Sequence, residues 1–399
     1  HNIFSLIIRR YSLPTYKMLF ILLLLSLSSV LVVDGWHTTT NNHGTLFHAK
    51  QETSAPSART TTRCRASSLS SIENDKRSSS KLLFDEFVEF LLTQQETIIA
   101  ELEELDGSNQ KFCNDAWGVF ASSNNNATSG GKTRVLQGGT IIEKGACSLT
   151  LIRNGILSEE RAATIRERQS SSVNGGSVYH AAALSMVLHS RSPIIPTFRS
   201  DVRIFWVETS GDEDDLIWLG GGADLTPYYL NKDDITCFHT LYRDLIEPHQ
   251  PALQQEGYTY ESMKKSCDDY FYLPARSEHR GTGGIFFDDL NAFGESVQFV
   301  KNVAKAWVPS WTPIVNRHRL TEYSEQQKQW QLLRRGRYLE FNLLYDRGVK
   351  FGLATANPRV EGVMVSAPPL IAWEYNHEIA PESPEEELLQ VLKEPRDWL

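Results

Sequence analysis

The sequence predicts an α+β fold, with a large, mostly antiparallel sheet covered by helices. Short runs rich in apolar and aromatic residues have the composition of strands, and segments with helical periodicity fall between several of them. Of the 399 residues, 41% are hydrophobic and 10% are aromatic, which is enough apolar material to bury a substantial core. No internal repeat or linker interrupts residues 81–399, so we expect them to form one domain.

Residues 1–80 are predicted to be a disordered targeting leader. The first residue is His1, so we expect the true start to lie upstream or at Met18. Residues 19–33 form an apolar run of signal-peptide length. This run is shorter than the roughly 20 residues of a membrane-spanning helix, so no stable membrane anchor is expected.

Residues 37–65 have the composition of an organelle transit peptide. They are rich in Ser, Thr, Asn and His, and they carry four basic residues but a single acid, Glu52. A signal region followed by such a stretch is the bipartite address of plastids enclosed by extra membranes. We therefore predict import into the plastid, with a secreted protein that has a disordered leader as the alternative.

Helical periodicity marks several segments of the predicted domain. Residues 81–105 carry apolar side chains at helical spacing with an acidic opposite face, and residues 232–247 and 293–307 repeat the apolar pattern. A last helix is expected to begin at Ser383, with Pro384 at its first position.

Strands and loops are predicted from composition. A flexible loop is expected at residues 122–132, which lack periodicity and contain three consecutive asparagines. The segments with strand composition are residues 202–208, 216–219, 269–273, 284–287, 338–345 and 363–366.

Charge and cysteine content exclude some classes of protein. The net charge of −9 and the pI near 5.7 argue against a nucleic-acid partner, since phosphate backbones are bound by basic surfaces. An anionic substrate would need a local group of arginines instead. The five cysteines are odd in number, widely spaced and without a C-x-x-C pair, so we expect reduced thiols rather than a disulfide framework or a zinc site.

The first candidate functional region is the glycine run at positions 220–222, followed by Asp224. We place it directly after a strand that ends at Leu219. Glycines let the backbone approach a flat ligand, and a carboxylate can accept hydrogen bonds from ligand N–H groups. A glycine turn with Asp224 capping backbone amides is the alternative.

Two further regions carry charged groups. Residues 280–290 end in Asp288 and Asp289, which are suited to acid–base work, to binding a divalent ion, or to capping the next helix. Residues 337–375 include Arg347 and Arg359, which are suited to binding carboxylates or to forming surface ion pairs.

These segments together, in this order and at this spacing, resemble the oxygen-dependent coproporphyrinogen oxidases. The resemblance runs from about Trp117 to Leu399 and includes residues 134–137 and 143–144. It implies a flattened antiparallel sheet between helical layers and a homodimer formed through the segment from Tyr338 to Tyr375.

The resemblance also implies a reaction. Two propionates of coproporphyrinogen III would be oxidatively decarboxylated to vinyls, giving protoporphyrinogen IX for heme and chlorophyll biosynthesis. Molecular oxygen would be the co-substrate, and no metal or organic cofactor is expected.

Site residues follow from the matching positions. The resemblance assigns Asp224 to hold the pyrrole N–H groups and help deprotonate the ring, and Arg203 and Arg359 to bind propionates. The remaining positions expected to line the same pocket are Ser185, Asp201, Gly221, Gly222 and Asn357.

The sequence departs from the family pattern near this site. Arg199 stands where the family has a histidine assigned as proton donor, and arginine does not exchange a proton near neutral pH. Asp201 replaces an asparagine, Ala275 a histidine and Ala372 an arginine, with His279 close enough in sequence to compensate for Ala275. The family histidines His189 and His239 are kept, and we expect them to be structural hydrogen-bonding residues rather than metal ligands.

Three hypotheses follow. The first is an active oxidase, and the second is a divergent paralogue that binds a porphyrinogen or related tetrapyrrole without turnover. The third, a metal-dependent hydrolase that uses Asp288 and Asp289, lacks a compact ligand spacing.

Overall fold

The computed structural model describes residues 63–121, 127–169, 173–209, 214–353 and 358–399. Most of the predicted leader lies outside these ranges, and the boundary at residue 80 stays a prediction. Residues 63–80 belong to the first helix, which begins at Arg63 rather than at the expected residue 81. Within the described ranges, no helix combines the length and the apolar character needed to cross a bilayer.

The elements are numbered here in chain order. The strands are β1 (Cys113–Gly118), β2 (Ser129–Gln137), β3 (Ile142–Ile156), β4 (Val178–Ser190), β5 (Thr197–Val207), β6 (Leu216–Thr226), β7 (Tyr272–Leu273), β8 (Glu278–His279) and β9 (Gly283–Asn291). The helices are α1 (Arg63–Asp106), α2 (Glu159–Gln169), α3 (Lys232–Ile246), α4 (Gln250–Gln255), α5 (Tyr260–Tyr270), α6 (Glu295–Lys305), α7 (Trp307–His318), α8 (Glu325–Leu344), α9 (Arg347–Leu353), α10 (Val360–Val363) and α11 (Pro384–Lys393), with a 3₁₀ turn at Glu247–His249.

The described strands build a seven-stranded sheet in the order β1-β2-β3-β4-β5-β6-β9, and every neighbouring pair is antiparallel. Strands β7 and β8 form a separate two-stranded ribbon. The α+β prediction is therefore confirmed.

One face of the sheet is apolar. Alternate residues of the central strands, such as Leu184, Val202 and Ile204, are fully buried on this face because side chains along a strand point to opposite sides. Phe87 and Leu91 of α1 pack against it at helical spacing. Helices α3, α6 and α7 complete this layer, and each large side chain they bury contributes about 1.5–3 kcal/mol.

The other face is covered in two parts. At one end, α2 packs over three stacked rings. The centroid of the Phe205 ring lies 5.1 Å from that of Tyr179 and 4.6 Å from that of Trp218. At the other end, α8 packs against β3 and β4 through Tyr338. Polar and charged side chains of the sheet lie at this second end.

Several predicted elements are confirmed and others are wrong. Helices at 232–247 and 293–307 are found within two residues of their expected limits, and Ser383 caps α11 as expected. Residues 338–344 belong instead to α8, because their buried aromatic side chains recur at helical spacing, and Tyr345 is its C-cap. Residues 363–366 form the end of α10 and a turn. Residues 269 and 270 are the end of α5, and only Tyr272 and Leu273 form a strand, β7.

The loop expected at 122–132 is also partly wrong. Residues 129–132 belong to β2. The consecutive glycines Gly130 and Gly131 pack against the backbone and side chain of Trp117, so they are required by close packing rather than by a turn. Residues 122–126 lie outside the described residues. The long strands β3 and β4 were not predicted.

Candidate active site

The polar end of the second sheet face is built from cross-strand rows. One row joins Ala146, Val187, Arg199, Asp224 and Gly284 across five adjacent strands. The next row along the strands joins Ser148, Ser185, Asp201, Gly222 and Phe286. Directly opposite residues share a face, so charged groups separated in sequence are placed side by side on a floor of small residues.

Gly220 makes room for an ion pair that crosses its strand. The guanidinium of Arg203 on β5 lies 3.2 Å from the carboxylate of Asp288 on β9, and it also pairs with Asp201. A side-chain carbon at Gly220 would lie 2.7 Å from both Arg203 and Asp288. The glycine run is therefore part of β6, and the predicted turn after Leu219 is wrong.

The two carboxylates of the second region do not cap a helix. Asp288 and Asp289 lie within β9, and Gly294 occupies the N-cap position of the helix that follows. Strand β9 continues to Asn291, so these side chains are placed by the sheet. The helix-capping alternative is therefore wrong for both.

Arg280 and Asp224 form the most buried ion pair of the site. A guanidinium nitrogen of Arg280 lies 2.6 Å from Asp224 Oδ2, and both side chains are almost fully buried. The guanidinium also lies over the rings of Phe271, Tyr338 and Phe341 at 3.9, 4.3 and 4.9 Å from their centroids. Asp224 Oδ1 is buried and accepts no hydrogen bond from the part of the chain that is described.

Arg199 stays charged at this site. Burial acts to lower its pKa, but the nearby carboxylates of Asp201 and Asp224 raise that pKa above its ordinary value. The guanidinium lies 2.7 Å from Asp201. Proton exchange by Arg199 near neutral pH is therefore excluded.

A cavity opens between this end of the sheet and the C-terminal half of the chain. It is lined by Arg199, Arg280, Ser185 and residues of β3 and α8. Residues 358–367, here called the cover segment, contribute Gly362, Val363, Val365 and Ser366 to its wall. Its volume is about 50 Å³, room for a few water molecules, whereas a drug-sized ligand site measures ~300 Å³ or more.

Asp346 lies in the candidate region 337–375 but was not among the predicted site residues, and it lines this cavity as Arg199 does. Burial raises the pKa of Asp346, and the Val349 N–H and the charge of Arg199 only partly oppose this. Its Oδ1 accepts a hydrogen bond of 2.8 Å from Val349 N, which caps α9. The sequence signal was a carboxylate directly before a short helix, but its position in the cavity depends on the tertiary fold.

The other predicted residues are spread over the neighbourhood of the cavity. Asp201, Arg203 and Asp224 are on the same face of the sheet but do not line the cavity. Gly221 faces the opposite side, towards Phe287. Gly222 is in the polar row, and Asn357 lies outside the described residues.

Arg359 is the second residue of the cover segment and does not line the cavity. Its guanidinium pairs with Asp115 at 2.6 Å and lies over the Trp117 ring at 5.0 Å. In this conformation Arg359 joins the cover segment to the edge strand β1.

The histidines and cysteines have structural partners. His189 and His239 are fully buried and hydrogen-bonded on both ring nitrogens, and His279 Nδ1 bonds to the Leu392 carbonyl of α11, away from the cavity. The four cysteines whose side chains are described are free. Across the described ranges, no group of His, Cys, Asp or Glu side chains has an arrangement that could hold a metal ion.

The sequence is similar to known proteins of one family. The family model described as coproporphyrinogen III oxidase matches residues 86–398. The chain is 41% identical to the oxygen-dependent coproporphyrinogen-III oxidase of Drosophila melanogaster over 75% of this chain and 74% of that protein. It is also 41% identical to the mitochondrial enzyme of that name from Homo sapiens, over 77% of this chain and 66% of that protein.

A bacterial relative extends the comparison to a shorter protein. The oxygen-dependent coproporphyrinogen-III oxidase of Francisella philomiragia is 37% identical over 79% of this chain and 98% of that protein. The family match over residues 86–398 covers the described sheet, most of α1 and the helices that follow it. The chain belongs to the coproporphyrinogen III oxidase family.

Proposed function

We propose that this protein oxidatively decarboxylates two propionates of coproporphyrinogen III to vinyls, with O₂ as the oxidant, and so makes protoporphyrinogen IX. The observation that carries the proposal is the family match over residues 86–398, which includes the whole polar end of the sheet. In each round a propionate loses CO₂ and the equivalent of a hydride, and O₂ takes up the two electrons with two protons to give peroxide. Neither step requires a metal or organic cofactor.

The charges of the site suit a substrate with acid side arms. Arg199 and Arg280 present guanidinium groups at the cavity, and such groups bind carboxylates in bidentate geometry. Ala146, Ser148 and Ser185 line the cavity with small side chains, which leave a flat floor for a macrocycle. Because the cavity is far smaller than a tetrapyrrole, we infer that the cover segment shifts outward when substrate binds.

The carboxylates supply the acid and base functions. Asp346, whose pKa is raised, can hold a proton near the reacting group and release it to reduced oxygen, a role that Arg199 cannot perform. Asp224 orients Arg280 with one oxygen. Its second oxygen accepts no hydrogen bond from the described residues, and it is suited to a pyrrole N–H.

Turnover in air tests this proposal. Purified protein is incubated with coproporphyrinogen III, and CO₂ release and the fluorescence of the oxidised product are measured. We expect both to appear in a two-to-one ratio of CO₂ to product. Tight binding without CO₂ release would overturn the proposal in favour of a protein that only binds porphyrinogens, and chelation is expected to leave the rate unchanged.

We also propose a homodimer and a plastid location. Exposed apolar side chains, Leu370, Trp373 and Tyr375, cluster in the segment to which the resemblance assigns the dimer contact. Replacing Trp373 and Tyr375 by glutamate is expected to give monomers in sedimentation analysis, whereas a wild-type monomer would contradict the dimer. For the location, the composition of residues 1–80 is the support, and imaging of the tagged chain in a cell with a multi-membrane plastid is the test.

A further inference from the structure

A chain of hydrogen bonds connects a buried ion pair to the cover segment. It begins at Arg335, which also pairs with Glu143 at 2.7 Å. The links run from Arg335 Nε to the Tyr228 hydroxyl (3.4 Å), from Tyr228 to Thr197 Oγ1 (2.5 Å), from Thr197 to His189 Nδ1 (3.1 Å), and from His189 Nε2 to the Ser366 carbonyl (2.9 Å).

The proton positions follow from the acceptor at the end of this chain. A carbonyl oxygen only accepts, so His189 Nε2 carries a proton and donates it to Ser366. Burial lowers the pKa of His189 well below its ordinary value, and the positive charge of Arg335 acts in the same direction. The ring is therefore neutral, and its Nδ1 is an acceptor.

The remaining donors are then fixed as well. Thr197 must donate to His189 Nδ1, so its oxygen accepts from the Tyr228 hydroxyl. Tyr228 accepts in turn from Arg335, which has only donors. The direction obtained from Ser366 thus agrees with the direction that Arg335 imposes, and a single tautomer of His189 satisfies both ends.

The bond to Ser366 lies where the cover segment meets the cavity. Ser366 lines the cavity, and the next carbonyl, that of Ala367, accepts 2.7 Å from Lys144 Nζ. Asn342 of α8 donates to the Ser366 hydroxyl at 3.3 Å. His189 is fully buried, and hydrogen bonds on both ring nitrogens fix its orientation.

We propose that His189 is a positioning residue for the oxidase reaction: it fixes the end of the cover segment, and through it the cavity wall that the substrate contacts. This inference rests on the proposed function for its kinetic consequence, but not for its structural one. His189 does not line the cavity, so it acts through Ser366 rather than on the substrate.

Two substitutions separate the two ring nitrogens. Gln places its amide nitrogen near the position of Nε2 and keeps the donor to Ser366, whereas the shorter Asn does not reach it. Amide hydrogen exchange of residues 358–367 is measured by mass spectrometry in the ligand-free protein, and kcat and KM are measured with coproporphyrinogen III. In His189→Asn the Ser366 carbonyl loses its hydrogen-bond donor. We therefore expect the rate of amide exchange in residues 358–367 and the KM each to rise by about tenfold.

The expected pattern has two further parts. In His189→Asn, kcat should stay within about twofold, since no group that meets the reacting atoms is removed. His189→Gln should restore both the exchange and the KM of the wild type. Equal exchange in wild type and His189→Asn, or a Gln variant as defective as the Asn variant, would overturn the proposal.

Controls distinguish positioning from loss of stability. His180 is buried at the opposite end of β4, where it bonds to Glu208 at 3.0 Å, so His180→Asn should lower stability without changing exchange of the cover segment or KM. Tyr228→Phe removes one hydroxyl from the middle of the chain and is expected to give a weaker form of the His189→Asn pattern. If His189→Asn does not fold, Tyr228→Phe is used in its place. Inactive wild-type protein would overturn the proposed function, while the exchange data would still decide the role of His189.

Discussion

Arg280 lies 2.6 Å from Asp224, and three aromatic rings close around its guanidinium. The arginine comes from the segment between β8 and β9, and the aspartate comes from β6. Their pairing fixes a cation at the cavity wall and keeps one oxygen of Asp224 available for another donor.

Breaking this pair on one side should be strongly destabilising. Either Asp224→Asn or Arg280→Gln leaves an uncompensated buried charge, so we expect each to lower the free energy of unfolding by about 3–5 kcal/mol. The double variant should lose clearly less than the sum of the two single losses, because it buries no unpaired charge. Urea unfolding of all four proteins gives the coupling energy, and strictly additive losses would contradict a paired arrangement.

Gly220→Ala is expected to disturb the Arg203–Asp288 pair. The new methyl would lie 2.7 Å from both side chains, so one of them must move, at a cost of about 1–3 kcal/mol in unfolding free energy. Gly145→Ala is the matched control in β3, because its methyl meets only apolar side chains at 3.0–3.3 Å. If the two variants are equally stable and bind substrate equally well, the Arg203–Asp288 pair does not require a glycine at position 220.

The glycine run shows where sequence reasoning reached its limit. Its composition predicted that the backbone approaches a flat ligand, and this stays a prediction. The group that needs the space at Gly220 is an ion pair between β5 and β9, which are far apart in sequence. Asp346 was missed for a similar reason, since its raised pKa depends on burial against the cavity. Helix α3 and the cap at Ser383 were predictable because their signals are local.

The strand prediction for residues 338–345 failed because composition was given more weight than spacing. Tyr338 and Phe341 are aromatic, which favours a strand, but they are buried three residues apart on one side of α8. The order of strands in the sheet was not predicted, since long strands such as β3 lack a distinctive local signal.

His239 should make the free energy of unfolding depend on pH. Burial lowers the pKa of His239 to about 4, and the charge of Lys264 acts in the same direction. As the pH falls from about 6.5 towards 4, the unfolded chain takes up a proton that the folded protein does not, so stability falls by an amount on the order of 3 kcal/mol.

The check is urea unfolding of wild type and His239→Gln between pH 7 and pH 4. At pH 7 the variant should be less stable, because the bond of 2.7 Å to the Tyr260 hydroxyl is lost. The difference should shrink as the pH falls, since Gln does not titrate. A constant difference over this range would contradict the lowered pKa.

Asp346→Asn should lower the turnover rate and raise the stability of the protein at pH 7. Asn keeps the cap on α9, since its side-chain oxygen can accept from Val349 N, but its amide has no acidic proton to transfer at the cavity. Because the pKa of Asp346 is raised in the folded protein, its ionisation opposes folding above that pKa and does not oppose it below the ordinary value of an aspartate.

The variant should therefore unfold at a higher urea concentration than wild type at pH 7, and this advantage should disappear near pH 4. Turnover of coproporphyrinogen III should fall by about a hundredfold or more if Asp346 is the acid. Asp269→Asn is the control, because Asp269 is exposed and paired with Lys265, so the change should be within about 0.5 kcal/mol at every pH. An Asp346→Asn protein with wild-type turnover would remove Asp346 from the chemistry, and equal stability at pH 7 would contradict the raised pKa.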